Sequence, residues 1–97
     1  MANGQGTATI NFGAAPGSNE ASIAVTGQGS IGATSKAEAF IMGDDSTADK
    51  TASDHRYAAS LIGLSCGTPS AGVGFTIYGR STERLQGTFA LRFIWTD

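Results

Sequence analysis

The stretch Thr88-Phe-Ala-Leu-Arg-Phe-Ile-Trp95 decides the fold. Phe89, Leu91, Phe93 and Trp95 fall on one side of an extended chain; Thr88, Ala90, Arg92 and Ile94 fall on the other. Successive Cβ atoms of a strand project to opposite faces, so this alternation belongs to a strand with one buried face. The run before it, Gly72–Gly79, repeats the pattern with Val73, Phe75 and Ile77 on one side and Tyr78 opposite Phe75. These two runs carry four of the eight aromatics besides Tyr78, so the core is expected to assemble on them. Arg80–Gln86 reads as the polar loop that joins them.

Working outward, Thr7–Phe12 sets Ala8, Ile10 and Phe12 against Thr7, Thr9 and Asn11. Ala21–Thr26 sets Ala21, Ile23 and Val25 against Ser22, Ala24 and Thr26. Between them Gly13–Asn19 is turn chemistry, with Pro16 presetting φ and Gly17 able to take positive φ. Lys36–Met42 reads as a third strand with apolar residues on both faces, which predicts burial on two sides, one of them against another chain. Gly43–Arg56 is a polar insert holding four of the eight acids, with Ser46 or Thr47 as a candidate cap for a helical turn. Tyr57–Leu64 reads as a fourth strand, or an extended segment, and Cys66–Ala71 as a Gly/Pro turn. Six short strands with turn signals between them predict an all-β domain, a small antiparallel β-sandwich. The domain is expected over residues 7–97, behind a loose segment at 1–6 that a neighbour could pin.

Composition narrows the function. Of 97 residues 14 are glycine, only 14% are charged, and the net charge is −2. Charge depletion suits subunit contacts, and a domain this small gains from self-association. The six basic residues (Lys36, Lys50, Arg56, Arg80, Arg84 and Arg92) form no stripe, so nucleic acid is not an expected partner. No apolar run is long enough to insert in a membrane, and the polar start lacks a secretory signal, so synthesis in the cytoplasm is expected. The single cysteine, Cys66, forms no intramolecular disulfide or metal framework and reads as a small buried hydrophobe.

The chain offers no catalytic set. Ser53, Asp54 and His55 have the letters of a triad, but adjacent residues cannot assemble its geometry, and Gly-x-Ser-x-Gly is absent. Asp44, Asp45, Asp49 and Asp54 lack the spacing of a calcium loop. Gly72-Val-Gly-Phe75 has no helix behind it to cradle a phosphate. The expectation is therefore no enzyme, no cofactor and no metal. The residues available for contact with a glycan or a partner are Asp54, His55 and Arg56 in the insert and Tyr78, Arg80 and Arg84 in and after the Gly72–Gly79 strand.

Gly72-Val-Gly-Phe-Thr-Ile-Tyr-Gly79 and Leu85-x-Gly-Thr-Phe-x-Leu-Arg-Phe-x-Trp95 resemble a family of small virion-associated proteins of tailed bacteriophages. The similarity extends to Ala8-Thr-Ile-Asn-Phe-Gly-x-x-Pro-Gly-Ser18, Ala21-Ser-Ile-Ala-Val-Thr-Gly27, Glu38-Ala-Phe-Ile-Met42 and Asp54-His55, and so covers nearly the whole chain. The resemblance implies a non-enzymatic structural protein of the virion, decorating the capsid or forming part of the tail or tail-fibre apparatus, with other virion proteins as partners. More distantly, Gly74-Phe75 and Phe93-x-Trp95 are similar to core positions of H-type lectin domains, six-stranded sandwiches that form homotrimers. That likeness implies a trimer, and as an alternative function a lectin-like module recognising host surface glycans.

Overall fold

In a computed structural model, residues 3–14, 16–41 and 50–97 are described. Their elements run β1 (Asn3–Asn11), β2 (Ser18–Val25), β3 (Lys36–Ile41), α1 (Ala52–Ala59), β4 (Ile62–Cys66), β5 (Phe75–Leu85) and β6 (Thr88–Thr96). The strands form two antiparallel three-stranded sheets, one in the order β1-β6-β3 and the other β2-β5-β4. All-β architecture with six strands thus holds for the described residues, with one helix added.

The inward faces of both sheets contribute to one hydrophobic core that includes Ile10, Phe12, Val25, Phe75, Ile77, Phe89, Leu91, Phe93 and Trp95. β6 is central in its sheet, and its Phe89, Leu91, Phe93 and Trp95 are all buried, as the alternation predicts. Burying an aromatic or leucine side chain contributes about 1.5–3 kcal/mol relative to leaving it exposed, so this one strand supplies a large share of the driving force. Phe93 meets Phe75 of the other sheet edge to face, with ring centroids 5.4 Å apart. The Trp95 indole N–H donates to Gln28 Oε1 at 2.9 Å, so its polar end is satisfied from the β2–β3 connection.

These large rings need space, and the facing strand provides it by having no side chains there. Gly4 pairs with Trp95 and Gly6 with Phe93. A Cβ at Gly4 would lie 2.5 Å from the Trp95 indole nitrogen, and one at Gly6 would lie 2.7 Å from Phe93 Cζ. The segment expected to be loose is therefore, from Asn3 onward, the paired first half of β1.

Three sequence expectations are corrected. Tyr57–Leu64 is not a strand: helix α1 runs to Ala59 and β4 begins at Ile62. Arg80–Gln86 is not a loop: β5 continues to Leu85, and the connection is only Gln86–Gly87. Val73, expected on the same side as Phe75 and Ile77, stands exposed in the turn before β5, and β5 and β6 lie in different sheets. β3 has only one covered face in the single chain. Ala37, Ala39 and Ile41 are half-buried, while Lys36, Glu38 and Phe40 are exposed. Cys66 is half-buried on the inner face of β4; burial pushes its thiol pKa up, with Glu38 adding to the shift. Among the described residues no helix is long and apolar enough to cross a membrane.

Gly6→Val is expected to lower unfolding free energy by about 1–3 kcal/mol, the usual cost of overpacking. Thr7→Val, on the outer face one residue along, should stay within about 0.5 kcal/mol of the parent. Urea denaturation of both variants checks this.

Candidate functional site

The six residues singled out from the sequence separate into two places. Asp54, His55 and Arg56 lie on α1; Tyr78, Arg80 and Arg84 lie along β5. The insert's Asp44, Asp45 and Asp49, and the cap candidates Ser46 and Thr47, fall outside the described residues.

On α1 the first two residues are occupied in holding the helix. Thr51 is the N-cap: its hydroxyl accepts from the Asp54 N–H at 3.2 Å, and Asp54 Oδ2 accepts from the Thr51 N–H at 2.9 Å. This reciprocal pair satisfies two backbone donors that a helix start leaves without partners. The Thr51 backbone N–H, above all, holds the Asp54 carboxyl below its ordinary range. His55 is fully buried. The Ala90 N–H can only donate, so His55 Nε2 accepts it, at 2.8 Å, and Nδ1 carries the proton and donates to the Thr51 carbonyl, also at 2.8 Å. The ring stands edge-on to Phe89 at 5.5 Å. His55 thus fastens α1 to β6 just past the Ile41–Leu91 pair of β3. It has no surface to offer a ligand, which corrects its assignment as a contact residue. Arg56 is exposed and donates to Ser53 Oγ at 3.0 Å within the helix.

The β5 group is different. Strand registry puts Ser22 of β2 and Ser65 of β4 on either side of Tyr78, and Glu20 and Gly63 on either side of Arg80. All point away from the core. Tyr78 is 51% exposed. Its ring lies against Gly67, where an added Cβ would sit 3.2 Å from Tyr78 Cε2. Arg80 and Glu20 form an ion pair on the surface. Glu20, Ser22, Gly63, Ser65, Tyr78 and Arg80 line an open groove of about 660 Å³. Arg84 is not in it: it lines a second hollow with Arg80, Ser81 and the start of β2, and borders a third under Tyr57. Sequence reading found Tyr78 and Arg80 but missed Glu20, Ser22, Gly63 and Ser65. Alternation places Ser22 outward, but which strands neighbour β5 is a matter of registry between distant segments.

The outer face of the other sheet carries the rows Thr7/Arg92/Phe40 and Gln5/Ile94/Glu38. Phe40 is 41% and Ile94 39% exposed. They are diagonal neighbours across the β3–β6 pair, a spacing over which an aromatic side chain reaches. Arg92 lies on the same face, as expected. Among the described residues no three His, Cys, Asp or Glu side chains cluster to hold a metal ion. Compared with family models, with curated proteins and with solved structures, the chain has no match.

His55→Phe keeps a ring in the same space but leaves the buried Ala90 N–H without an acceptor. The expected loss is about 1–3 kcal/mol, the cost of an unmet buried donor. His55→Ala should lose more, because it opens a cavity beside Phe89 as well. Thermal and urea unfolding measure both; a His55→Phe variant as stable as the parent would remove the fastening role.

Proposed function

We propose that this chain is a non-enzymatic structural protein of a tailed-bacteriophage particle. In this reading it is an antiparallel β-sandwich that self-associates as a homotrimer and contributes to the capsid surface or the tail apparatus, after synthesis in the host cytoplasm. The observation that carries it is the outer face of the β1-β6-β3 sheet. Phe40 and Ile94 stand together there, exposed, on a face otherwise made of Asn, Gln, Thr, Ala90 and three charged residues. Apolar side chains ringed by polar ones are what an interface core looks like before its partner arrives. Lys36, Glu38 and Arg92 surround them. In a closed ring each contact is heterologous, so Arg92 of one copy can meet Glu38 of the next while the three Phe40–Ile94 pairs turn toward a common axis.

The particle assignment is supported by the motif resemblance over nearly the whole chain, and by the low charge that accompanies it. Among the described residues no nucleophile stands beside a histidine base, which favours a role in contact rather than conversion. His55, the sole histidine, is spent on the α1–β6 fastening.

Size-exclusion chromatography with light scattering is expected to give three times the 9.8 kDa chain mass. The double variant Phe40→Ser, Ile94→Ser should run as a monomer with an unchanged far-UV spectrum. A parent chain that stays monomeric at high concentration and fails to co-sediment with purified phage particles would overturn the reading.

A further inference from the structure

We propose that β1 pairs along its free edge with β1 of a second copy, antiparallel and about a two-fold axis at Thr7, joining two β1-β6-β3 sheets into one sheet of six strands. β1 has β6 on one side only. Which of its backbone groups face outward follows from two bonds. The Ala90 N–H is taken by His55 Nε2, so Thr9↔Ala90 is a pair without mutual hydrogen bonds, and the Thr9 N–H and C=O point away from β6. The Phe12 N–H donates to the carbonyl of Gly87, just before β6, so the even-numbered residues turn toward that strand. By alternation Asn3, Gln5, Thr7, Thr9 and Asn11 present their backbone groups at the edge, and among the described residues nothing bonds to those groups.

A row of unpaired backbone groups is a template for another strand, and folded chains guard such rows with charge, proline, a bulge or shortness. The other three outer strands are guarded in these ways. β2 carries Glu20 and a register shift between Ser18 and Glu20, β3 carries Lys36 and Glu38, and β4 is five residues long. β1 has none of these devices. It runs nine residues in unbroken register, and the first charged side chain of the sequence is Glu20.

The strand that fits this edge is β1 itself. One two-fold register uses all five outward residues: Thr7 meets the partner's Thr7, Gln5 the partner's Thr9, and Asn3 the partner's Asn11. Each of these pairs exchanges both backbone bonds. On the inner face Gly4 falls opposite the partner's Ile10 and Gly6 opposite the partner's Ala8, so the larger side chain of each pair meets a glycine. On the outer face Thr–Thr is a favourable cross-strand pair, and no like charges come together. The joined sheet ends on two charged β3 strands, so the pairing closes at two copies instead of propagating. The contact is made of backbone and buries little apolar surface. It is therefore weaker than the Phe40–Ile94 contact and forms at higher concentration. It uses the edge of the sheet rather than its outer face, so the two contacts stand or fall separately.

Sedimentation equilibrium on the full-length Phe40→Ser, Ile94→Ser variant, which lacks the other contact, tests it. The weight-average mass is expected to rise from 9.8 kDa at micromolar concentration toward twice that at millimolar. Hydrogen exchange at both concentrations reads the register: the Gln5, Thr7 and Thr9 amides should slow severalfold on concentration, while Gly6, Ala8 and Ile10 are slow throughout. Adding Thr7→Glu, which sets two carboxylates against each other on the axis, should abolish the rise in mass with the far-UV spectrum unchanged. Thr7→Pro removes the central outward N–H, where an edge strand tolerates proline, and should do the same. Thr7→Val keeps that N–H and should associate like its parent. A mass that stays at 9.8 kDa, no slowing at the odd-numbered amides, or a Thr7→Glu chain that associates as before overturns the proposal. So does slowing at Gln5, Thr7 and Thr9 that appears only when purified phage particles are added, which assigns the edge to a strand of another particle protein.

Discussion

Four side chains on one strand and the space cleared for them govern the rest of this small protein. Phe89, Leu91, Phe93 and Trp95 occupy consecutive inward positions of β6, the middle strand of its sheet. The Trp95 and Phe93 rings lie where an inward side chain at the paired β1 positions would stand, and interiors packed like crystals have no slack to absorb the conflict. β1 resolves it with Gly4 and Gly6 directly opposite Trp95 and Phe93. The other sheet makes the same concession at Gly79, where a Cβ would approach Ile10 Cδ1 to 2.9 Å. The glycine content that looks like looseness in the sequence is in part the complement of the aromatics.

The helix is held by the same strand. Phe89 is boxed by Phe12 and His55, both edge-on, with the Lys50 ammonium 5.1 Å from its ring centre. His55 then ties the backbone of α1 to the backbone of β6 through its two ring nitrogens. A residue that resembles catalytic or binding machinery in the sequence is thus committed to structure. Neutral imidazole suits the task because it offers one donor and one acceptor on opposite sides, which neither Asn nor Lys can do across that distance.

What the sequence reveals follows from what is local. The alternation in Thr88–Trp95, Ala21–Thr26 and Lys36–Met42 is a property of neighbouring residues, and strands lie over those stretches, β2 starting earlier at Ser18 and ending at Val25 and β3 described to Ile41. The helix is less legible because it buries only His55 and Ala58, too little for a strong apolar stripe. Its one clear signal is the start, Thr51-x-x-Asp54, a hydroxyl followed three residues on by a carboxylate. Arg80–Leu85 misleads because its composition is that of a loop. It is kept in β5 by long-range contacts, including the Asn19 amide donating to the Ser81 carbonyl and the Thr82 N–H donating to the Leu61 carbonyl. The groove is the least legible feature. Ser22, Tyr78 and Ser65 are far apart in the chain and become one row only through registry.

Two outer faces are left once the core is closed, and their chemistry differs. One presents an apolar pair among amides and charges; the other presents an aromatic plate among hydroxyls beside an ion pair. Both faces lie over the core that β6 is placed to build. Native-state hydrogen exchange tests that premise most directly. The β6 amides between Leu91 and Trp95 should be the slowest in the molecule, exchanging only through global unfolding, with β2 and β4 amides opening at lower free energy. Exchange at Leu91–Trp95 as fast as at the edge strands would mean that the core is not built on β6.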